Sequence, residues 1–493
     1  MGNNEIGRGI AGEFLGADLG DPRRQGRLLV LAERMASKPD SSFPKAMSSA
    51  ELEGAYRFFS NPQVTPEALL APHVRETLAR VGPDLVTLVV HDSSTLSFNS
   101  EGYRDGLAPI SDYKQQFVVH CSLAIRADGT RRPQGILAAS QHVPVGKRDG
   151  QFQNRWAEQV RDVYALGLSP ASVVHVMDRE ADDYEVLDLL DQVGGRFIIR
   201  LQHNRQLVDR GRVRDALTNV RAEAERTVPL SKRSKSAGAK QSKIHPRREE
   251  RLAKLAFGGC RADIKRPSTA TQATTEQLAL NVVYVWETEP PPGESPIEWV
   301  LYTSEPIDTT EQLLRVVDWY RSRWVIEEYF KALKTGCAIE QRQLGDLHAL
   351  ANALALFLPI AWQLLLLRSE ARERPETPAS EILLSDELQV LRAVARRPLP
   401  ACPSIHDAML AIAGLGGHLK HNGPPGWQTL AKGHQELRSL VAGWRLRLAV
   451  ENGTLPQTWD QSWGPNPACQ YLGALGLRAR TLTNPDNRGR GSN

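Results

Sequence analysis

The pattern of apolar and polar positions divides the chain into three parts. Up to about residue 70, short segments are separated by helix-starting signals. From residue 85 the pattern changes to short, near-continuous apolar runs of the kind found in buried strands. Beyond about residue 372 it becomes helical again, with Pro and Gly breaks. The pattern therefore predicts an α/β protein with helical regions at both ends.

The first part predicts three short helices. Asp21 can cap the first helix, with Pro22 at its first position, where proline is favoured. Ser48 and Glu51 have the spacing of a capping box at the start of the second helix, and the third helix begins at Thr65-Pro66. The basic side of the first helix and the aromatic-basic run YRFF at 56–59 fit either a DNA contact or a small helical domain with a half-exposed arginine.

The second part contains two apolar runs that each end in an aspartate: LVTLVVHD at 85–92 and SVVHVMD at 172–178. Further strands are predicted at 116–125, 134–140 and 196–201, with helices at 152–166 and 181–190. This order of strands and helices is that of a ribonuclease H-like mixed-sheet core. A β-rich stretch, about 202–300, interrupts the core before a helix that begins near residue 310. We expect an N-terminal helical domain at 1–70, a central mixed-sheet domain at 71–372 and a C-terminal helical domain at 373–493 whose tail is disordered.

Composition narrows the class of protein. The longest apolar stretch, 353–367, contains Pro359 and Gln363 and falls short of the roughly 20 residues that a membrane-spanning helix needs. It predicts a buried helix, and no membrane partner. The N-terminus lacks the apolar core of a signal peptide, so we expect a cytoplasmic location. The cysteines are scattered and odd in number, which predicts free thiols: Cys121, Cys260, Cys337, Cys402 and Cys469.

Charge is concentrated in one segment. The net charge is only +4, but residues 226–254 hold ten Lys or Arg and two Glu. Such a run is either a solvated loop or a contact with a phosphate backbone.

Candidate chemistry begins with Asp92 and Asp178. A carboxylate at the end of a buried strand is costly to desolvate unless it is paired or binds a cation. Either aspartate alone has an ordinary explanation as a cap or turn residue, and for Asp178 helix capping competes directly with metal binding.

A third element distinguishes these interpretations. Tyr320, Arg323, Glu327 and Lys334 are offset by 0, 3, 7 and 14 residues, which on one helix places them within an arc of about 60°. One carboxylate, two cations and a phenol suit a phosphate site, with Glu327 completing a metal cage and the cations gripping phosphate oxygens.

The spacing Y-x2-R-x3-E-x6-K resembles the YREK signature of DDE transposases, in the insertion-sequence group typified by the bacterial transposon-five transposase. Four other segments resemble family segments that occur in the same order along the chain: EGAYRFFSNP at 53–62, HDSSTLSF at 91–98, MDREADDYE at 177–185 and PIEWVLYTSEP at 296–306. The similarity therefore covers most of the chain. SDYKQQF, at 111–117, departs from the family wording, which puts local DNA contacts there in doubt.

The resemblance implies roles for individual residues. Asp92, Asp178 and Glu327 take the family's catalytic positions and hold two Mg2+ ions, for which Mn2+ can substitute. Trp299 stacks on a base flipped out of the duplex during hairpin formation, although a tryptophan in a strand also has a structural explanation. The other expected contacts with DNA are Tyr320, Arg323, Lys331, Lys334, Arg200, Arg23, Arg24, Arg27 and Arg57.

The resemblance also implies a reaction. A bacterial cut-and-paste transposase nicks each transposon end, forms and opens a hairpin, and joins the 3′ ends to target DNA, acting as a homodimer on double-stranded inverted repeats. Two alternatives remain at this point: a metal-dependent nuclease on the same core, and a catalytically decayed copy that only binds DNA.

Overall fold

A computed structural model describes residues 9–82, 85–99, 103–144, 150–230, 232, 248–419 and 423–452. Within these residues, helices occupy both ends of the chain and flank one mixed β-sheet. The predicted tail, most of the basic run and Cys469 lie outside the described residues. The helices are α1 (Gly9–Gly12), α2 (Pro22–Ser37), α3 (Phe43–Ala46), α4 (Ser49–Phe59), α5 (Pro66–Val81), α6 (Gly150–Ala165), α7 (Tyr184–Gln192), α8 (Val213–Leu217), α9 (Thr310–Arg321), α10 (Trp324–Lys331), α11 (Leu347–Glu373), α12 (Ser385–Val394), α13 (Ile405–Leu415) and α14 (Trp427–Glu451).

The three predicted N-terminal helices are α2, α4 and α5, and each begins at its predicted cap. Asp21 accepts a hydrogen bond from the backbone of Arg23, Ser48 and Glu51 form the capping box, and Thr65 caps α5. Sequence reasoning missed the short helices α1 and α3. The domain boundary that we expect near residue 70 falls inside α5.

The sheet positions the two aspartates. Strand β1 is antiparallel to β3 and parallel to β5, and β5 is parallel to β6. The full order is β2-β3-β1-β5-β6-β10-β9-β8-β7, with β4 beside β3. The strands are β1 (Thr87–Asn99), β2 (Ala108–Ser111), β3 (Lys114–Arg126), β4 (Pro133–His142), β5 (Val173–Met177), β6 (Arg196–Arg200), β7 (Ala224–Leu230), β8 (Arg251–Lys265), β9 (Gln277–Glu287) and β10 (Glu298–Thr303).

Two predicted boundaries were wrong. The first strand does not end at Asp92, because β1 continues to Asn99 through antiparallel pairing with β3. The helix predicted from residue 181 begins at Tyr184, because Asp178 first caps a 3₁₀ turn and Asp183 then caps α7.

Strands β7 to β9, from the stretch predicted as an insertion, extend the same sheet through β10.

Helix α11 forms the centre of the structure. It is long and apolar enough to cross a bilayer, but 94% of its most apolar window is buried inside the protein. Asn352 on α11 donates hydrogen bonds to the carbonyls of Phe59 and Val64, at 2.9 Å each. The buried helix predicted at 353–367 is thereby confirmed.

Helices α13 and α14 cross at a pair of glycines. A Cβ atom on Gly433 would lie 1.8 Å from the carbonyl oxygen of Ile412. We therefore expect Gly433→Ala to lower the free energy of unfolding by about 1–3 kcal/mol, because the helices must move apart. Urea unfolding of the full chain measures the change. Gly443→Ala, on the same helix with nothing within 4 Å of the new Cβ, is the matched control, and an equal loss there would exclude the crossing as the cause.

Candidate active site

Asp92 lies on β1, and Asp178 directly follows the adjacent parallel strand β5 at the matching position. Val90 pairs with Val176, and each aspartate lies two residues further along its chain. Neighbouring strands are about 4.8 Å apart, so the two carboxyl groups act on each other, and the charge of Asp178 raises the pKa of Asp92. Both aspartates and Glu327 line one cavity of about 1110 Å³.

Asp92 is mostly enclosed, with 18% of its side chain exposed. Its Oδ1 accepts a hydrogen bond from the backbone of Ser93 at 2.8 Å, and its Oδ2 accepts one from Arg323 at 2.9 Å. Burial raises the pKa of Asp92 to about 7, Arg323 opposes this shift, and the charges of Asp178 and Glu327 add to it. An acid in this environment is stabilised as a carboxylate by a nearby cation.

Asp178 caps the 3₁₀ turn that follows β5. Its Oδ1 accepts a hydrogen bond from the backbone of Glu180 at 2.8 Å. A carboxylate has two oxygens and about four lone-pair positions. Capping and cation binding, which compete in the sequence, are therefore compatible at this residue.

Tyr320, Arg323, Glu327 and Lys334, the four-residue stripe, do not lie on one continuous helix. The prediction that placed all four on a single helical wheel was therefore wrong. Helix α9 ends at Arg321, a tightened turn follows, and α10 begins at Trp324. In that turn the Ser322 hydroxyl donates to the carbonyl of Asp318, a bond that competes with the backbone ladder. A π-helical turn (Ala332–Gly336) then shifts Lys334 off the stripe.

Arg323 links two of the three acidic side chains. Its guanidinium donates to Asp92 at 2.9 Å and to Glu327 at 2.5 Å, and 15% of its side chain is exposed. Burial lowers the pKa of Arg323, but the neighbouring carboxylates outweigh this and raise it. Burial raises the pKa of Glu327, and Arg323 and Lys331 oppose that shift.

Tyr320 and Trp299 lie together beside the acids. Their rings meet edge to face, with centroids 5.4 Å apart. Tyr320 is 5% exposed and burial raises its pKa, an effect that Arg323 and Arg200 oppose. Arg200 donates to the backbone carbonyl of Glu298 at 3.2 Å. Burial lowers the pKa of Arg200. Tyr320, Trp299 and Arg200 all line the cavity.

Lys331 and Lys334 differ in position. Lys331 is exposed and near enough to Glu327 to affect its pKa. The ammonium of Lys334 donates to the carbonyl of Thr95 on β1 at 2.6 Å, and burial lowers its pKa. Neither lysine belongs to the cavity lining.

The four N-terminal arginines lie on α2 and α4, away from the cavity lining. Arg23 pairs with Asp21 at 3.4 Å and its side chain is 85% exposed. Arg24 donates to the carbonyl of Leu19, and Arg57 pairs with Glu53 on the surface. The guanidinium of Arg27 packs against Gly54.

Several cavity residues were missed in the sequence. Trp324, 56% exposed, stands directly beside Arg323, and its position inside the stripe motif was a signal that sequence reasoning did not use. Three arginines come from the basic run, which we recognised without assigning its members. The missed cationic lining residues are Arg179, Arg226, Arg248, Arg251 and Arg321.

The acids that line the cavity, Asp92, Asp178 and Glu327, are the candidate ligands for a divalent cation. Among the described residues, no three His, Cys, Asp or Glu side chains are gathered as a ready metal site. Arg323 lies between two of the acids, and its guanidinium contacts both Asp92 and Glu327. Asp92 and Glu327 already bind the positively charged guanidinium of Arg323, and Asp178 lines the same cavity. The three carboxylates therefore fit a divalent metal ion that would replace the guanidinium as their positive partner.

A cavity lined by Asp92, Asp178, Glu327 and several arginines suits an enzyme that acts on the phosphates of a nucleic acid. A family model described as "Transposase DDE domain" matches residues 87–360, and one described as "Transposase DNA-binding" matches residues 10–64. The first spans more than half of the chain, so this protein belongs to the DDE transposase family. It is a DNA transposase, and catalytic domains of this family depend on metal ions, generally Mg2+.

Several solved chains match this protein, and one of them is similar over most of its length. It is a cryo-EM structure of a piggyBac transposase synaptic complex with hairpin DNA, with a TM-score of 0.35 and 10% sequence identity. The match covers 90% of this chain and 79% of that chain. A TM-score this low carries no argument about fold or mechanism.

Proposed function

We propose that this transposase moves DNA by the cut-and-paste route, with Asp92, Asp178 and Glu327 as its catalytic carboxylates. We also propose that it belongs to the YREK group typified by the transposon-five transposase. The observation that carries both proposals is the double ion pair of Arg323 with Asp92 and Glu327. It joins the signature segment to the aspartate at the centre of the sheet.

The catalytic core on this proposal is ribonuclease H-like. Support comes from the strand order β4-β3-β1-β5-β6, in which three antiparallel strands are followed by two parallel ones. On this proposal residues 1–70 bind the transposon end, 71–372 carry out catalysis and 373–493 dimerise, although helix α5 runs across the first of these boundaries.

The three carboxylates would hold two Mg2+ ions, or Mn2+ in their place. When bound, such ions activate the attacking oxygen and stabilise the leaving oxygen in an in-line displacement at phosphorus. The protein's own part is to hold the carboxylates together and to keep them charged. Arg323, freed from Asp92 and Glu327, would then be available to a DNA phosphate.

The remaining site residues would hold the transposon end. Arg323, Lys331, Lys334 and Arg200 are suited to phosphate oxygens, and Tyr320 to a hydrogen bond or a stacking contact. The Tyr320 side chain is buried and that of Arg200 is half-buried, and both line the cavity with the acids, which favours contacts with the phosphate nearest the reaction. Arg23, Arg24, Arg27 and Arg57 would contact the transposon end further from the cleavage point.

The reaction that we propose uses one site for successive phosphoryl transfers. Water nicks the transposon end, the freed 3′-hydroxyl attacks the opposite strand to form a hairpin, water opens the hairpin, and the 3′-hydroxyl joins target DNA. Two ends must be held together for joining, so the working form is a homodimer on paired inverted repeats in a bacterial cell.

One assay tests this proposal. The full chain is incubated with Mg2+ and DNA that carries the inverted repeats flanking its gene, and products are resolved on denaturing gels. Hairpins and joined products are expected. Cleavage without joining would favour a plain nuclease, and binding without cleavage would favour a decayed copy, so either result overturns the proposal.

Trp299 gives a step-specific prediction. Since stacking on a flipped base contributes about 1–3 kcal/mol, Trp299→Ala is expected to lower hairpin formation about tenfold while the first nick persists. The measurement is the ratio of hairpin to nicked product over time. Trp286→Ala, in the neighbouring strand β9, is the matched control, and an unchanged ratio in Trp299→Ala would refute the stacking role.

A further inference from the structure

Arg155 on α6 contacts a residue that closely follows each aspartate in the chain: Ser93 after Asp92, and Glu180 after Asp178. Its Nε donates to the hydroxyl of Ser93 at 3.0 Å, and its second contact is an ion pair with Glu180 at 2.6 Å. Only 4% of the Arg155 side chain is exposed. Neither the stripe motif nor the strand pattern drew attention to this residue.

Both partners of Arg155 orient a catalytic aspartate through their backbone. The N–H of Ser93 donates to Asp92 Oδ1 at 2.8 Å, and the N–H of Glu180 donates to Asp178 Oδ1 at 2.8 Å. One guanidinium therefore bridges the side chains of the two residues whose backbone N–H groups bind the two carboxylates. A planar guanidinium has donors on several edges and can make both contacts at once, which a lysine ammonium on a flexible stem does poorly.

Buried side chains support the Ser93 end of this arrangement, whereas 64% of the Glu180 side chain is exposed. The Ser93 hydroxyl contacts the Nδ1 atom of His120 at 2.8 Å, and His120 packs edge to face against Trp156 with ring centroids 4.5 Å apart. Burial lowers the pKa of Arg155, and the charges of Glu180, Asp178 and Asp92 oppose that shift. The guanidinium is thus within electrostatic range of both aspartates.

We propose that Arg155 is a positioning residue that sets the separation of Asp92 and Asp178 for divalent-metal binding. This inference rests on the proposed function, since it requires these aspartates to be metal ligands. Side chains that orient metal ligands typically contribute 10- to 100-fold to metal affinity. Arg155 acts through Ser93 and Glu180 and touches neither DNA nor metal in this role.

The test is Mn2+ binding to the full chain without DNA. Binding is measured from the electron paramagnetic resonance signal of the Mn2+ that stays free in solution. Arg155→Lys keeps the charge, so any loss of affinity reports geometry and not Coulombic attraction. We expect a Kd for Mn2+ about tenfold weaker, an unchanged melting temperature, and cleavage of end DNA that recovers as Mn2+ is raised. A residue that only supported the fold would lower the melting temperature and would not respond to metal concentration.

Two further variants keep the outcome decisive. Ser93→Ala removes the hydroxyl that Arg155 contacts without changing charge or the backbone N–H, and is expected to weaken Mn2+ binding by a smaller factor. Arg196→Lys, in another arginine–carboxylate pair of the same domain, is the matched control and should bind Mn2+ as the parent does. Parental affinity in both Arg155→Lys and Ser93→Ala would overturn the positioning role.

Asp92→Ala separates this inference from the proposed function. If the parent binds Mn2+ and Asp92→Ala does not, the metal site stands and the Arg155 variants decide the positioning role. If the parent and Asp92→Ala bind Mn2+ alike, the carboxylate assignment itself fails, and the inference fails with it.

Discussion

Replacing Asp92 with asparagine is expected to lower DNA cleavage by about 10⁴-fold, the order seen when a group at a reacting centre is removed. Asparagine keeps the shape and one carbonyl oxygen but loses the charge that a divalent cation needs. Asp178→Asn and Glu327→Gln are expected to lose activity to a similar extent. Cleavage of end DNA in Mg2+ measures the loss, and a mobility-shift assay with the same DNA should give unchanged binding.

Asp183, in the segment that follows Asp178, provides a control for the general effect of replacing an acid by its amide. Asp183 caps α7 through its side chain, and asparagine caps helices about as well as aspartate does. Asp183→Asn should therefore cleave like the parent. Substantial cleavage by Asp92→Asn, or an equal loss in Asp183→Asn, would contradict the assignment of the catalytic carboxylates.

Replacing Glu13 with alanine is expected to lower the free energy of unfolding by about 3–5 kcal/mol, because it leaves a buried arginine without its partner. Glu13 is 7% exposed and accepts hydrogen bonds from Arg80 at 2.9 and 3.1 Å and from His73 at 2.5 Å. His73 in turn accepts a hydrogen bond from the backbone of Ile136 at 3.0 Å. This network ties the N-terminal helices to β4, so the loss should affect the whole catalytic region.

The same network predicts how stability depends on pH. Burial alone would raise the pKa of Glu13, but His73 and Arg80 outweigh it and lower the pKa from 4.5 to about 2. Glu13 therefore stabilises the fold fully above about pH 4.5, and the contribution, about 3 kcal/mol, is lost as the pH falls towards 2. Urea unfolding of the parent and of Glu13→Ala at pH 7 and pH 3 should give a difference that shrinks on acidification.

A surface pair provides the comparison for Glu13. Glu53 and Arg57 form an ion pair with side chains 65% and 79% exposed, and such pairs contribute about 0–1 kcal/mol. If Glu13→Ala costs no more than Glu53→Ala, or if its effect is the same at both pH values, the buried network does not have the role described.

Local signals allowed much of the fold to be predicted from the sequence. Caps at Asp21, Ser48 and Thr65 act within one turn of the chain, so they mark helix starts without knowledge of the tertiary structure. The apolar runs before Asp92 and Asp178 likewise identify buried strands, because both of their faces must be covered.

Features that depend on pairing between distant segments were not predictable in this way. The length of β1 beyond Asp92 is set by β3, and sequence alone does not give that register. The break between α9 and α10 coincides with a hydrogen bond from the Ser322 hydroxyl to the carbonyl of Asp318. The role proposed for Arg155 depends on two partners 62 and 25 residues away in the chain. Sequence spacing found the members of the stripe, whereas only the structure gives the contacts of Arg323 with Asp92 and Glu327.

The most direct test of the central claim is the metal dependence of end cleavage by Asp178→Cys. A thiolate is a soft ligand that binds the hard Mg2+ ion poorly and softer divalent ions better. If Asp178 is a metal ligand in this transposase, the variant should fail to cleave in Mg2+ and regain cleavage in Mn2+. Cleavage in Mg2+ at the rate of the parent, or an equal loss in both metals, would contradict the claim.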